Sequence, residues 1–241
     1  MTRTPLLFLP GLLCDERLWR DQVAGLAGLA RPVVADLTRD DAVVAMAARA
    51  VRAMDEAGAG RFAMAGLSMG GYVALEVMRQ VPGRVERLAL FDTSARPDTP
   101  EQSRQRRGLM SLTRSGQFRG VTPRLLPRLL HATNQDGPLA REVMDMAERV
   151  GRDAFLRQQA AILGRPDSRG DLSGIAVPSL VAVGEADILT PPELAREIAE
   201  GIPGAVLRII PGCAHLPSME APEVVNAILR DWLGGASSTG S

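Results

Sequence analysis

Gly66-Leu67-Ser68-Met69-Gly70 lies between two runs of different character. Before it, Arg61-Phe62-Ala63-Met64-Ala65 is largely apolar and reads as a short buried strand. After it, Gly71-Tyr72-Val73-Ala74-Leu75-Glu76-Val77-Met78 has the apolar spacing of a helix. A Gly-x-Ser-x-Gly at a strand-to-helix junction is a bend so tight that the positions flanking the serine cannot carry side chains. The bend forces the serine into sparsely populated backbone space and exposes its hydroxyl. It also aims the next N–H and the helix N-terminus at the same small volume. Gly- and Ser-rich turns are ordinary connections too, so the motif gains chemical meaning only if an acid and a histidine follow in suitable places.

Outward from this bend the chain alternates strands and helices. Leu6 to Leu9 is a short apolar run closed by Pro10-Gly11, without the alternation of a half-exposed strand, and so reads as a central parallel strand. Further strands are expected at 32–37, 61–65, 87–91, 178–183 and 205–210, with helices near 42–57, 70–80, 192–200 and 220–233. This is the βαβ rhythm of a doubly wound α/β sheet of about six mostly parallel strands, with helices on both faces. From Arg96 to about Pro166 the rhythm stops, leaving helical windows near 101–117, 121–131, 138–149 and 151–163. Such an excursion is too long for an ordinary crossover and reads as an inserted helical lid over the carboxyl ends of the strands. The expected organisation is a core of 1–95 and 166–233, a lid of 96–165 and a low-complexity, disordered tail of 234–241.

Parallel strands end on one edge, so residues far apart in sequence can meet there. Ser68 follows one strand, Asp187 closes Gly184-Glu185-Ala186-Asp187 after another, and His215 closes Gly212-Cys213-Ala214-His215 after the last. In that order they can form a nucleophile, an orienting acid and a general base. Asp92, at the end of the strand after the bend, is an alternative acid, and Glu185 a weaker one. The oxyanion that serine attack creates needs fixed donors; the N–H groups of Met69 and of Leu12, just past Gly11, are the candidates. His131, in the expected lid, has no comparable setting.

Composition removes other classes. The chain of 241 residues carries 28 Arg and 28 Asp or Glu, no lysine, and no run of 18 apolar residues, so a membrane span is not expected. The start, Met1-Thr2-Arg3-Thr4-Pro5, lacks the parts of a signal peptide, which makes the cytoplasm the expected location. Two cysteines, Cys14 and Cys213, and two histidines give neither a disulfide framework nor metal-ligand spacing; the cysteines read as small buried hydrophobes. No cofactor or metal is expected. Residues 94–165 hold 13 Arg against 7 acids. Without interleaved aromatics this does not point to nucleic acid, but it suits an acidic substrate or carrier.

Taken together, Leu9-Pro10-Gly11-Leu12, Gly66-Leu67-Ser68-Met69-Gly70-Gly71, Val183-Gly184-Glu185-Ala186-Asp187 and Gly212-Cys213-Ala214-His215 resemble the α/β-hydrolase superfamily over residues 5–233. Within it the chain is similar to the small esterase, lactonase, cofactor-free haloperoxidase and carrier-protein methyl-ester esterase group. Pro10 stands where many members have the histidine of a His-Gly pair, and the antiparallel strands that usually precede the first parallel strand are missing. The resemblance implies cofactor-free hydrolysis of a carboxylic ester or lactone through an acyl-enzyme. Perhydrolysis, C–C bond hydrolysis and noncatalytic ligand binding on the same scaffold are the alternatives. The implied partner is a small-molecule ester or lactone, with an acyl-carrier protein as a further candidate.

Overall fold

The computed structural model describes residues 3–235. Six strands form one sheet: β1 (Thr4–Leu9), β2 (Ala30–Val34), β3 (Phe62–Leu67), β4 (Val85–Phe91), β5 (Ser179–Gly184) and β6 (Val206–Ile210). Their order is β2-β1-β3-β4-β5-β6 and all five pairings are parallel. The chain moves outward from β1 to β2, then crosses back to place β3 on the other side of β1. The strand order therefore reverses between β1 and β3, where ligands bind in open α/β sheets.

β3 and β5 are buried at every position, which explains why their sequences show no polar alternation. Alternate residues still serve opposite layers. Leu7 and Leu9 of β1 join Met64, Leu88 and Val181 beneath α2 (Val43–Glu56), α3 (Met69–Gln80) and α6 (Pro192–Gly201). Leu6 and Phe8 join Ala63, Ala65 and Phe91 on the other face, against α1 (Arg20–Gly25) and α8 (Pro222–Gly234). Trp19, fully buried, stacks on Phe8 at 4.6 Å and meets Phe91 edge-on at 5.7 Å, so it packs the core beneath the loop that follows β1.

Between β4 and β5 the chain inserts α4 (Pro100–Arg114) and α5 (Pro138–Leu163). A capping box at Thr99 and Gln102 opens α4. Gly151, at φ 79°, breaks α5 into the two helical windows legible in the sequence. The helix expected at 121–131 is replaced by short 3-10 turns, Leu126–Arg128 and Ala132–Asn134. Pro123 and Pro127 account for this, since proline in a helix interior removes a donor and clashes with the preceding turn. The helix expected at 220–233 is α8, preceded by the short α7 (Pro217–Glu220) and set off from it at Ala221-Pro222. Gly234 closes α8 and Gly235 is its left-handed cap; residues 236–241 of the expected tail lie outside the described residues. Among the described residues no helix is long and apolar enough to cross a membrane.

Candidate active site

Ser68 sits between β3 and α3 with φ 55° and ψ −115°, a conformation that costs a non-glycine residue roughly 1–3 kcal/mol and persists only where its surroundings impose it. Here they do. A Cβ on Gly66 would overlap the backbone of Gly70, and one on Gly70 would overlap the Leu9 carbonyl of the neighbouring strand. The Ser68 N–H donates to Phe91 O (2.9 Å), while its carbonyl accepts from Gly71 N–H (2.9 Å) and Thr93 Oγ1–H (2.8 Å). A serine at a helix N-cap usually accepts from the first turn. In this geometry the Ser68 hydroxyl makes no such bond and is directed to a side chain from the far end of the sequence.

That side chain is His215. Its Nε2 lies 2.9 Å from Ser68 Oγ, and its Nδ1 lies 2.8 Å from Asp187 Oδ2. Asp187 follows β5, and His215 follows β6. The two loops are pressed together because Gly184 approaches the Ala214 carbonyl so closely that any Cβ would overlap it. Ser68 is half-buried, whereas His215 and Asp187 are 5% and 2% exposed, so solvent reaches this chain only at its hydroxyl end.

Asp187 is held on all sides. Oδ1 accepts from the N–H groups of Leu189 (2.8 Å) and Thr190 (3.2 Å), and Oδ2 accepts from Thr190 Oγ1–H (2.7 Å). Burial pushes its pKa up. The charge and hydrogen bond of His215, with those from Thr190 and the Leu189 N–H, outweigh this and hold the carboxyl below its ordinary value. Thr190 is a site residue that the sequence reading missed, although an Asp followed three residues later by Thr is a local-turn signal.

Asp92 lies beside this pair without joining it. It is 1% exposed with φ 44°. Its Oδ1 accepts from Gly184 N–H (2.9 Å), and its Oδ2 has no partner among the described residues. Burial first, and the Asp187 charge second, raise its pKa well above the ordinary carboxylate value. The carboxylate that meets His215 is Asp187; Asp92, whose neutral form burial favours, anchors the end of β5. Glu185 is exposed, and Ser179, at the opposite end of β5, gives its hydroxyl to Val177 O. Asp92, Asp187 and His215 place one ligand-capable atom each within 4.8 Å of one another. His215 Nδ1 and Asp187 already face each other in a hydrogen bond and burial favours the protonated form of Asp92, a set better suited to orienting an imidazole than to holding a cation.

Across from Ser68 runs the loop after β1. A Cβ on Gly11 would stand 3.5 Å from Ser68 Cβ, which puts this backbone directly beside the hydroxyl. The N–H of Leu12 donates to no protein group among the described residues; that of Met69 is the first of α3. Cys14 and Cys213 are buried free thiols, each pushed up to about 12, chiefly by burial, so neither is a thiolate nucleophile. His131 turns its ring to Thr133 Oγ1 (2.9 Å), away from this chemistry. Its backbone N–H and Asn134 Nδ2–H both donate to Glu220 Oε2, while Glu220 Oε1 accepts from Ala214 N–H. With His215 N–H donating to Leu129 O (3.1 Å), the histidine loop is stapled to the inserted segment.

A strained serine, a buried imidazole and an oriented carboxylate at the edge of a parallel sheet form a recognisable set, and the model of the Alpha/beta hydrolase family matches residues 6–228. The chain belongs to this family. Among its relatives, this hydrolase is 30% identical over 176 residues to the pimeloyl-[acyl-carrier protein] methyl ester esterase of Neisseria meningitidis serogroup C, an alignment covering 70% of this chain and 68% of that protein. It is also similar to the structure of a thermophilic esterase from Thermogutta terrifontis, with a TM-score of 0.88 and 30% identity over 97% of this chain and 90% of that one. The enol-lactonase from Burkholderia xenovorans LB400 shares the fold, with a TM-score of 0.84 at 24% identity over 97% and 92% of the two chains.

Proposed function

We propose that the protein is a serine hydrolase that cleaves a carboxylic ester or lactone through an acyl-enzyme, with Ser68, His215 and Asp187 as its catalytic residues. The observation that carries this reading is the continuous hydrogen-bond chain from Ser68 Oγ through His215 to Asp187. Ser68 Oγ attacks the substrate carbonyl while His215 Nε2 takes its proton, and Asp187 steadies the imidazolium that results. The N–H groups of Leu12 and Met69 receive the oxyanion. As the tetrahedral adduct collapses, the ester C–O bond breaks and Nε2–H gives its proton to the leaving alkoxide. Water, deprotonated by His215, then attacks the acyl-serine, releases the acid and restores the hydroxyl. A fluorophosphonate probe should label the protein at Ser68, with no labelling of Ser68→Ala. Failure of the intact protein to label, together with no ester or lactone turnover, would reject the mechanism.

Segment 96–165 acts as the lid over this site, and its surface charge supports an acyl group delivered by an acidic carrier protein. Arg107, Arg114, Arg119, Arg124 and Arg128 are exposed and form no ion pair among the described residues. The one acid between 100 and 130, Glu101, is engaged by Arg104. Leu109 and Leu112, both about half exposed, lie on the same stretch. Such a surface steers an acidic partner by long-range attraction and holds it by short apolar contacts. The test compares a carrier-linked ester with a small soluble ester of the same acyl group. Arg107→Glu, Arg114→Glu and Arg119→Glu together should lower kcat/KM for the carrier-linked ester by about tenfold or more and leave the small ester unchanged; equal rates on both would reject the carrier. Two buried thiols that form no disulfide support a reducing, cytoplasmic setting.

A further inference from the structure

Gln158 is fully buried in the second half of α5, beyond the break at Gly151, and its hydrogen bonds go to none of Ser68, Asp187 and His215. Its amide bridges two rim loops. Oε1 accepts from Leu13 N–H (3.0 Å) in the loop after β1, and Nε2–H donates to Leu37 O (3.2 Å) in the loop after β2. A backbone N–H only donates and a carbonyl only accepts, so these partners fix which way the amide points.

The bond to Leu13 falls where the backbone is under strain. Leu13 has φ 58°, a left-handed conformation that a leucine rarely adopts. The Leu12–Leu13 peptide is gripped at both ends, because its N–H goes to Gln158 and its carbonyl accepts from the Cys14 thiol (3.4 Å). That peptide shares the Leu12 Cα with the preceding one, which carries the Leu12 N–H, so holding it restrains how that N–H can turn. Phe155 packs against Leu13 one turn earlier on the same helix, and Arg157 Nε–H donates to Thr38 O (2.8 Å), which seats the helix on both loops.

We infer that Gln158 is a positioning residue for the oxyanion hole, holding Leu13 in its strained conformation so that the Leu12 N–H faces the Ser68 hydroxyl. The inference rests on the reading of Leu12 as an oxyanion donor given above. It also makes the inserted segment part of the catalytic apparatus, since a side chain of α5 sets the geometry of a loop more than a hundred residues earlier.

Gln158→Met keeps the length and bulk of the side chain and removes both hydrogen bonds. With a soluble ester its kcat should fall roughly 10- to 100-fold, less than the ~10²–10³ for outright loss of an oxyanion donor, while KM changes little. A trifluoromethyl ketone, which forms a tetrahedral adduct on serine, should lose affinity by a similar factor, and the shape of the pH–rate profile should not change. A residue that served only stability would lower Tm and leave kcat and ketone affinity of the folded fraction as in wild type; that result overturns the inference. Gln158→Glu keeps an acceptor for Leu13 N–H but sets a carboxylate against Leu37 O, and should fall between wild type and Gln158→Met. If Gln158→Met does not fold, Gln158→Leu, which likewise leaves Leu13 N–H without an acceptor, takes its place: wild-type ketone affinity overturns the inference and weakened affinity supports it. Wild type and Ser68→Ala are run alongside. Absence of Ser68-dependent turnover in wild type would reject the hydrolase mechanism itself, whereas normal wild-type turnover with an unaffected Gln158→Met rejects only the role of Gln158.

Discussion

Two buried aspartates lie beside one histidine, and the structure expects opposite results from the same substitution at each. In Asp187→Asn the Oδ1 position still accepts from Leu189 and Thr190 N–H, so the new NH2 is directed at His215 Nδ1. The imidazole must then accept there and carry its proton on Nε2, facing Ser68, where it cannot act as a base. The charge is lost as well. A carboxylate and an imidazolium with charge centres about 4 Å apart attract by about 4 kcal/mol at an effective dielectric of ~20, which is about a thousandfold in rate. Loss of the correct tautomer brings the expected fall in kcat towards ~10⁴. Asp92→Asn costs little charge, because burial and the neighbouring Asp187 charge raise that carboxyl's pKa well above the ordinary value and favour its neutral form. It also preserves the acceptor for Gly184 N–H, and asparagine tolerates the left-handed backbone that Asp92 adopts. Its kcat should stay within a few-fold of wild type. The assay is turnover of a chromogenic ester by both variants from pH 5 to 9, with folding checked by thermal melting. Comparable losses in the two variants, or a fall of less than tenfold in Asp187→Asn, would refute the assignment of roles.

Three further outcomes are expected. Asp92 should make wild-type stability fall as pH rises above the ordinary carboxylate pKa of 3.8, because the unfolded chain then releases a proton that the folded chain keeps; denaturant melts should show a shallower fall in Asp92→Asn. Gly184→Ala should displace the Ala214–His215 backbone and cost about 10²-fold in kcat, the effect of a misplacement of about 1 Å, measured against an unchanged ester KM. Cys14 and Cys213, with thiols pushed up to about 12, should resist iodoacetamide at pH 8 in the folded protein and react on denaturation, as read by mass spectrometry.

The parts of this site that were legible in the sequence are those where sterics leave few choices. Gly66 and Gly70 flank Ser68 because the backbone on either side has no room for a Cβ, and a spacing dictated by collision survives as a readable motif. The strands were legible because β3 and β5 are buried on both faces, leaving runs such as Leu180-Val181-Ala182-Val183 with no polar interruption. Segment 121–131 misled because Leu125, Leu126, Leu129 and Leu130 have helical spacing; two prolines override it, and the same leucines are carried on short turns. Gln158 and Glu220 were invisible for a different reason. Each bonds mainly to backbone N–H or carbonyl groups of distant loops, and every residue type has those groups, so no pattern in the partner sequence marks the contact.

The staple made by Glu220 bears on how a substrate gets in. One carboxylate holds His131 N–H and Asn134 on one side and Ala214 N–H on the other, next to the residue that supplies the general base. Swinging the 126–134 stretch away as a door would tug the imidazole out of register with the serine, so at this corner opening and working are mutually exclusive. The stapled corner is thus a fixed edge of the insertion, the place where its position and that of the imidazole are tied together.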